Sequence, residues 1–327
     1  MKTQIVYTLI SSDKDYFLEE LWVSLYSLRL FHPEVPVNVL VDEPTNEYMR
    51  RFPELCTMVT EIIVVPVPES YNAKQRSRVL KTSFRSHLKG NLLFMDTDTV
   101  VCKPLDEIDT LTCDLACVPE MHLPFAKMPF APYDAVEAAF GVDVHDCQYY
   151  FNSGVMYVAD TPTAHEFFRR WNERWTYSCF ERGNSQDEPA FCVVNKEMGF
   201  VIQPLDDTYN AQVAMSLKYF ADAAIVHWWH MSFIENQDYS PYFSLQIYKE
   251  LKAHGGMTAH CEELIRNCKQ SFVSPSIPMG EDIMYFMYSP AGKIFNRIYK
   301  EGGAASYLMT LFAQWLDRLH RFTRKTK

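Results

Sequence analysis

The first half of the chain alternates between two hydrophobic periods, and that alternation leaves few folds open. Residues 5–9 (IVYTL) form a short apolar run. Beyond the polar break Ser11-Ser12-Asp13, Leu18, Leu21, Trp22, Leu25 and Leu28 recur at the spacing of one helix face until His32-Pro33 stops them. Val37–Val41 and residues 62–65 are further strands, the latter ended by Pro66. A helix is expected over about residues 75–87 and a fourth strand over Leu92–Met95. Apolar strands separated by amphipathic helices imply an α/β fold, with a mixed, mostly parallel sheet flanked by helices.

The pattern loosens over residues 119–150, where Pro119, Pro124, Pro129 and Pro132 are spread among apolar and acidic residues. This stretch is expected to be irregular, either shaping a pocket or running over the surface. Regularity returns with Phe151–Val158, a helix over about 164–177, a short helix starting near Asp187 and a late strand over 224–228. Past residue 245 only helical patterns remain, broken at Gly255-Gly256 and Gly302-Gly303. A main domain over residues 1–245 and a helical C-terminal extension over 246–327 are therefore expected. In the last helix Leu308, Phe312, Trp315, Leu319 and Phe322 share an apolar face, opposite Gln314, Arg318, Arg321 and Lys325.

Charge separates the body from its end. The net charge is −10, yet residues 291–327 carry eight Lys or Arg against Glu301 and Asp317, so the tail is +6 and the remainder −16. An acidic body argues against general nucleic-acid binding, which needs a basic surface. A basic amphipathic end is the pattern of a segment lying on an anionic membrane surface, and a helix packed on its own domain is the alternative. No window is long and apolar enough to span a bilayer, and the N-terminal apolar run is too short for a signal peptide. The nine cysteines include no CxxC pair and read as reduced thiols. They fit a cytoplasmic protein, peripheral on the inner face of the membrane if the tail binds lipid.

The residues with the clearest chemistry follow the fourth strand, where LLFM runs into Asp96-Thr97-Asp98. In an open α/β sheet ligands bind beyond the carboxyl ends of the strands. Two carboxylates there can hold a hard divalent cation that keeps positions open for phosphate oxygens. A polar turn after a buried strand is the plain alternative. Upstream, Arg78 and Lys81 lie three apart on the expected helix, after Arg76, and suit a diphosphate or simply solvate that face. Downstream, Asn152-Ser153-Gly154 interrupts an aromatic-apolar strand with small hydrogen-bonding residues, and Gly154 allows close backbone approach. Asp187-Glu188 stands at an expected helix start, where Asp187 can also cap. His227 ends the late strand and can complete a metal site as a neutral imidazole, with Trp228, Trp229 and His230 following.

Taken in order, IVYTLIS, SLYSLRLFHPEVPVNVLVDE, RSRVLKTSF, FMDTDTVV, YFNSGVMYV, QDEPAF and IVH, over about residues 3–230, resemble the nucleotide-diphospho-sugar transferases of the GT-A fold. Most of all they resemble the glycogenin-like glycosyltransferases of family 8. The resemblance implies a GT-A (Rossmann-like) catalytic domain that moves a sugar from a nucleotide-sugar donor, a UDP-sugar, to a glycan or lipid-linked acceptor. It implies Mn²⁺ or Mg²⁺ and retention of anomeric configuration. Asp96, Asp98 and His227 are then the metal ligands. Tyr7 and Thr8 meet the base, and Arg78, Lys81 and Thr97 complete the nucleotide site. Asn152, Ser153, Gly154 and Asp187 lie beside the donor sugar, and Asp187 and Glu188 are the candidate catalytic carboxylates.

The sequence departs from the family pattern at two places. Relatives often carry Gln where Glu188 stands, and WWHMSFIEN follows His227 in place of a run with a diphosphate-binding lysine. An inverting transferase and a non-catalytic carbohydrate- or partner-binding module on the same fold are the competing readings. A sugar nucleotidyltransferase would need a glycine-rich loop after the first strand, and TLISSDKDYF has none.

Overall fold

A computed structural model describes residues 1–129, 131–213, 216–228, 242–270, 286 and 289–325. The chain divides into two compact units, Met1–Pro278 and Met279–Lys327. In the first unit the strands are β1 (Gln4–Leu9), β2 (Val37–Val41), β3 (Glu61–Val64), β4 (Leu92–Met95), β5 (Thr99–Val101), β6 (Leu115–Pro119), β7 (Phe151–Val158), β8 (Ile202–Pro204), β9 (Ala211–Gln212) and β10 (Ile225–His227). Its helices are α1 (Phe17–Phe31), α2 (Glu43–Met49), α3 (Pro53–Thr57), α4 (Ala73–Ser83), α5 (Tyr133–Phe140), α6 (Pro162–Glu181), α7 (Glu188–Glu197), α8 (Leu245–His254) and α9 (Ala259–Arg266).

Seven strands form one sheet in the order β3-β2-β1-β4-β7-β6-β8, and β5-β10-β9 form a second. β1, β2, β3 and β4 pair in parallel, as do β6 and β8, whereas β7 runs antiparallel to both β4 and β6. The expected mixed, mostly parallel sheet flanked by helices is the observed one.

Strand alternation divides the core. Ile5, Tyr7 and Leu9 face α1, where Leu18, Leu21, Trp22, Leu25 and Leu28 are buried. Val6 and Phe94 face the other way, against Leu80 of α4 and Phe167, Phe168 and Trp171 of α6. Burying each such side chain is worth roughly 1.5–3 kcal/mol.

The boundary expected at residue 245 falls instead at Pro278. Ile247 and Leu251 of α8 and Cys261 and Ile265 of α9 belong to the same buried cluster as α1. Gly255 is a left-handed C-cap (φ 71°) that lets the chain turn back between those two helices. Among its described residues the proline-rich stretch 119–150 holds two short 3₁₀ turns and α5. All nine cysteines are free thiols.

The second unit contains helices Pro290–Glu301 and Gly303–Lys325. Ser289 caps the first by accepting from the Gly292 amide, with Pro290 in its first turn. In the second helix Tyr307, Leu308, Leu311, Phe312, Trp315 and Leu316 are exposed. The side chains of Leu319, Arg321, Phe322 and Lys325 lie outside the described residues. No helix among the described residues is long and apolar enough to cross a membrane.

Candidate active site

β1 has β2 on one side and β4 on the other, so the strand order reverses there and a crevice opens beyond the strands' carboxyl ends. A cavity of about 490 Å³ fills it. Thr8, Leu9 and Ile10 come from the end of β1, Phe17 and Glu20 from α1, and Asp96, Thr97 and Asp98 from the turn after β4. Ala73, Lys74, Ser77, Arg78 and Lys81 come from α4. That helix begins in a capping box in which Asn72 and Gln75 satisfy each other's backbone amides, which sets the face carrying Arg78 and Lys81.

Backbone pairing brings three expected ligands together. The Asp96 amide donates to the Gly154 carbonyl at 2.7 Å, tying the end of β4 to β7. β5 pairs with β10 so that His227 lies opposite Thr99, next to Asp98, and the Trp228 amide donates to the Asp98 carbonyl at 3.1 Å. One donor atom from each of Asp96, Asp98 and His227 then falls within 4.8 Å of the others. His227 Nε2 is 3.1 Å from Asp98 Oδ1. Two carboxylates and an imidazole at this spacing fit a divalent cation with part of its shell open.

Gly154 acts here through His227. A Cβ on Gly154 would sit 2.3 Å from His227 Cε1, so only glycine leaves room for the imidazole across β7.

The cations form the other wall. Lys81 Nζ donates to both Asp96 oxygens, at 3.0 and 2.9 Å, and lies 3.8 Å from Asp187 Oδ2. Burial alone would lower the Lys81 pKa, but Asp96 and Asp187 outweigh it and keep the ammonium charged. Burial, together with neighbouring Asp98, raises the Asp96 carboxyl against the pull of Lys81. Arg78 Nε pairs with Asp187 Oδ1 at 2.7 Å, and the Ser153 hydroxyl donates to Asp187 Oδ2 at 3.1 Å. Asp187 occupies the N-cap position of α7 without a side-chain cap bond. Burial would raise its pKa, yet Arg78 and Lys81 hold it below the ordinary value. Glu188, partly exposed, is pushed up to about 7 by burial and by the Asp187 charge.

Thr8 lines the cavity, but Tyr7 does not meet it. Alternation along β1 turns Tyr7 into the core, where its hydroxyl hydrogen-bonds Ser24 Oγ at 2.9 Å. Thr97 faces the cavity and donates to Glu20 Oε2 at 3.2 Å. Asn152 is engaged within the protein: its Nδ2 donates to Glu120 at 2.8 Å, and its Oδ1 accepts from the Gly154 amide and from Asn210. Trp229 and His230 lie outside the described residues.

Three acidic or amide residues went unread in the sequence. Glu20 is buried and also accepts from Tyr248 at 3.0 Å, and its signal was an acid inside the apolar face of α1. Glu120 directly follows β6 as Asp96 directly follows β4, so the strand-end argument applies to it too. Burial and Glu188 push its carboxyl up to about 8. Asn210, in a 3₁₀ turn, bonds His227 and carried no periodic signal.

Neither a protein-family model nor a curated sequence matches the chain. Solved structures do. The fold is similar to that of the galactosyltransferase LgtC in complex with donor and acceptor sugar analogues, with TM-score 0.52, 14% identity, and 80% of this chain and 99% of that one covered. It is similar to the bifunctional glycosyltransferase WbbM, with TM-score 0.51, 14% identity, and 83% of this chain but 52% of that one covered. Mouse xyloside xylosyltransferase 1 is also similar, with TM-score 0.46, 14% identity, and coverage of 70% and 98%. The chain has the GT-A fold found among glycosyltransferases.

Proposed function

We propose that this chain is a metal-dependent glycosyltransferase that takes a sugar from a UDP-sugar and passes it, with retention, to a glycan or lipid-linked acceptor. The observation that carries this reading is the convergence of Asp96, Asp98 and His227 beside Arg78 and Lys81 at the strand switch point. A divalent ion held there, Mn²⁺ or Mg²⁺, supplies positive charge to the departing diphosphate.

The chain's own residues do the rest. Lys81 and Arg78 are charged and aimed into the crevice, so they stabilise the same leaving group electrostatically. Arg78 is held in place by Asp187, which is wholly buried and therefore orients rather than attacks. Glu188 keeps some exposure and titrates near neutrality, which suits the carboxylate that meets the cation-like sugar or the acceptor hydroxyl. Thr8 and Thr97 wall the nucleoside end. The intact ligand trio favours catalysis over a binding-only module.

The tail supports a second contact. Its exposed Tyr307, Leu308, Phe312 and Trp315, with eight basic residues over 291–327, fit the headgroup region of an anionic membrane.

A screen of UDP-sugars with Mn²⁺, reading UDP release with and without acceptor glycans, tests the reading. Release from at least one donor is expected. No release from any nucleotide-sugar, with UDP binding unaffected by metal, overturns it.

A further inference from the structure

We infer that Asn210 is a positioning residue that fixes the tautomer and aim of His227, and that Asn152 and Glu120 in turn fix Asn210. The inference rests on the metal reading above.

Four side chains from four elements stand in series. Glu120 follows β6, Asn152 lies on β7, Asn210 ends the 3₁₀ turn Asp207–Asn210, and His227 ends β10. Asn152 Nδ2 is 2.8 Å from Glu120 Oε2, Asn210 Nδ2 is 2.8 Å from Asn152 Oδ1, and His227 Nδ1 is 2.9 Å from Asn210 Oδ1. Asn152, Asn210 and His227 are at most 4% exposed, so water has little part in the series.

The direction of every bond follows from one end. The Gly154 backbone amide, 2.9 Å from Asn152, can only donate, so the Asn152 atom facing it is the oxygen. The Asn152 nitrogen then faces the Glu120 carboxyl. The Asn210 atom facing the Asn152 oxygen must donate, so it is the nitrogen. Asn210 therefore offers its oxygen to His227 Nδ1, and that ring nitrogen carries a proton. In the neutral ring the lone pair is left on Nε2, on the side of Asp98 and Asp96. Nε2 and Asp98 Oδ1 are 3.1 Å apart, a spacing that a proton can bridge without metal and at which both atoms can ligate one cation. A histidine whose second nitrogen is held by an amide oxygen is fixed as a metal ligand before the ion arrives.

The test compares Asn210→Leu, which keeps the bulk and loses the acceptor, with Asn210→Asp, which keeps an acceptor. Mn²⁺ affinity is read from the electron paramagnetic resonance of free Mn²⁺. The His227 tautomer is read from long-range ¹H–¹⁵N NMR of the metal-free protein, assigned by its loss in His227→Gln. We expect Nδ1 to carry a proton in the wild type, whether or not Nε2 shares one with Asp98. Asn210→Leu should bind Mn²⁺ about 10–100-fold more weakly, and Asn210→Asp should recover most of that loss. Wild-type affinity in Asn210→Leu, while Asp98→Asn has lost it, overturns the inference and spares the metal site. Undiminished affinity in Asp98→Asn removes the metal site and the inference with it. Should Asn210→Leu fail to fold, an Nε2–H tautomer in the wild type is by itself enough to overturn the inference.

Discussion

Asp187 and Glu188 are neighbours in sequence with opposite titration, because Arg78 and Lys81 pair directly with Asp187, whereas burial and the Asp187 charge outweigh their pull on Glu188. Arg78 and Lys81 hold Asp187 ionised, and that fixed charge helps push Glu188 up to about 7. If Glu188 works as a carboxylate, its active fraction grows as pH rises through about 7. The pH profile of kcat/KM should then climb across that range. Glu188→Gln should lower kcat by about 10²-fold or more and erase the climb. An unchanged profile in the variant removes Glu188 from the chemistry.

At this scale the grouping was readable where a residue's type and its strand-end position agreed, as at Asp96, Asp98 and His227, whose ligand atoms the fold brings within 4.8 Å of one another. The sequence misled at Tyr7, because alternation separates the two faces of a strand without saying which one meets the ligand. The crowding of Gly154 against His227 is not legible in the sequence, because His227 is 73 residues away and meets β7 only through the second sheet.

Among the elements, α1 couples the core to the crevice through two buried acids. Glu20 receives Thr97 from the metal turn and Tyr248 from α8, so residues past 245 brace a wall of the site. Glu19 lies 3.8 Å from Lys252 Nζ with neither oxygen hydrogen-bonded, and burial pushes its pKa up to about 7. A raised acid pKa means the folded state binds the proton more tightly than the unfolded one. Stability should therefore fall as pH rises from about 4.5 to 7, and the penalty persists above that.

Glu19→Gln should raise stability by about 1–3 kcal/mol at pH 8 and change it little near pH 4.5. Urea unfolding at the two pH values measures this, and equal effects at both would refute a buried-charge penalty. The longer apolar strands β1, β2, β4 and β7 were legible because several residues shared one pattern. β5, β8 and β9 span two or three residues each, too few for a period to register, and they hold their places through pairing and through single core residues such as Val100, Ala211 and Ile202.

For the whole molecule, the acidic body and basic tail announced a division that the structure draws at Pro278. The sequence located the tail from its charge and periodicity but put the boundary too early, since nothing in the apolar faces of α8 and α9 says that they pack in the cluster of α1. Deleting residues 304–327 should abolish binding to vesicles containing phosphatidylserine while leaving donor hydrolysis within about twofold. Cosedimentation decides it, and unchanged binding would dismiss the membrane role.

The central claim is that Asp96, Asp98 and His227 bind a divalent ion for a nucleotide diphosphate, and calorimetric titration of UDP with and without Mn²⁺ tests it most directly. The wild type should bind UDP at least about tenfold more tightly with Mn²⁺, a gain of about 1.4 kcal/mol, and Asp98→Asn should lose that gain while melting within a few degrees of the wild type. UDP affinity that ignores Mn²⁺ in the wild type, or a full Mn²⁺ gain in Asp98→Asn, contradicts the account.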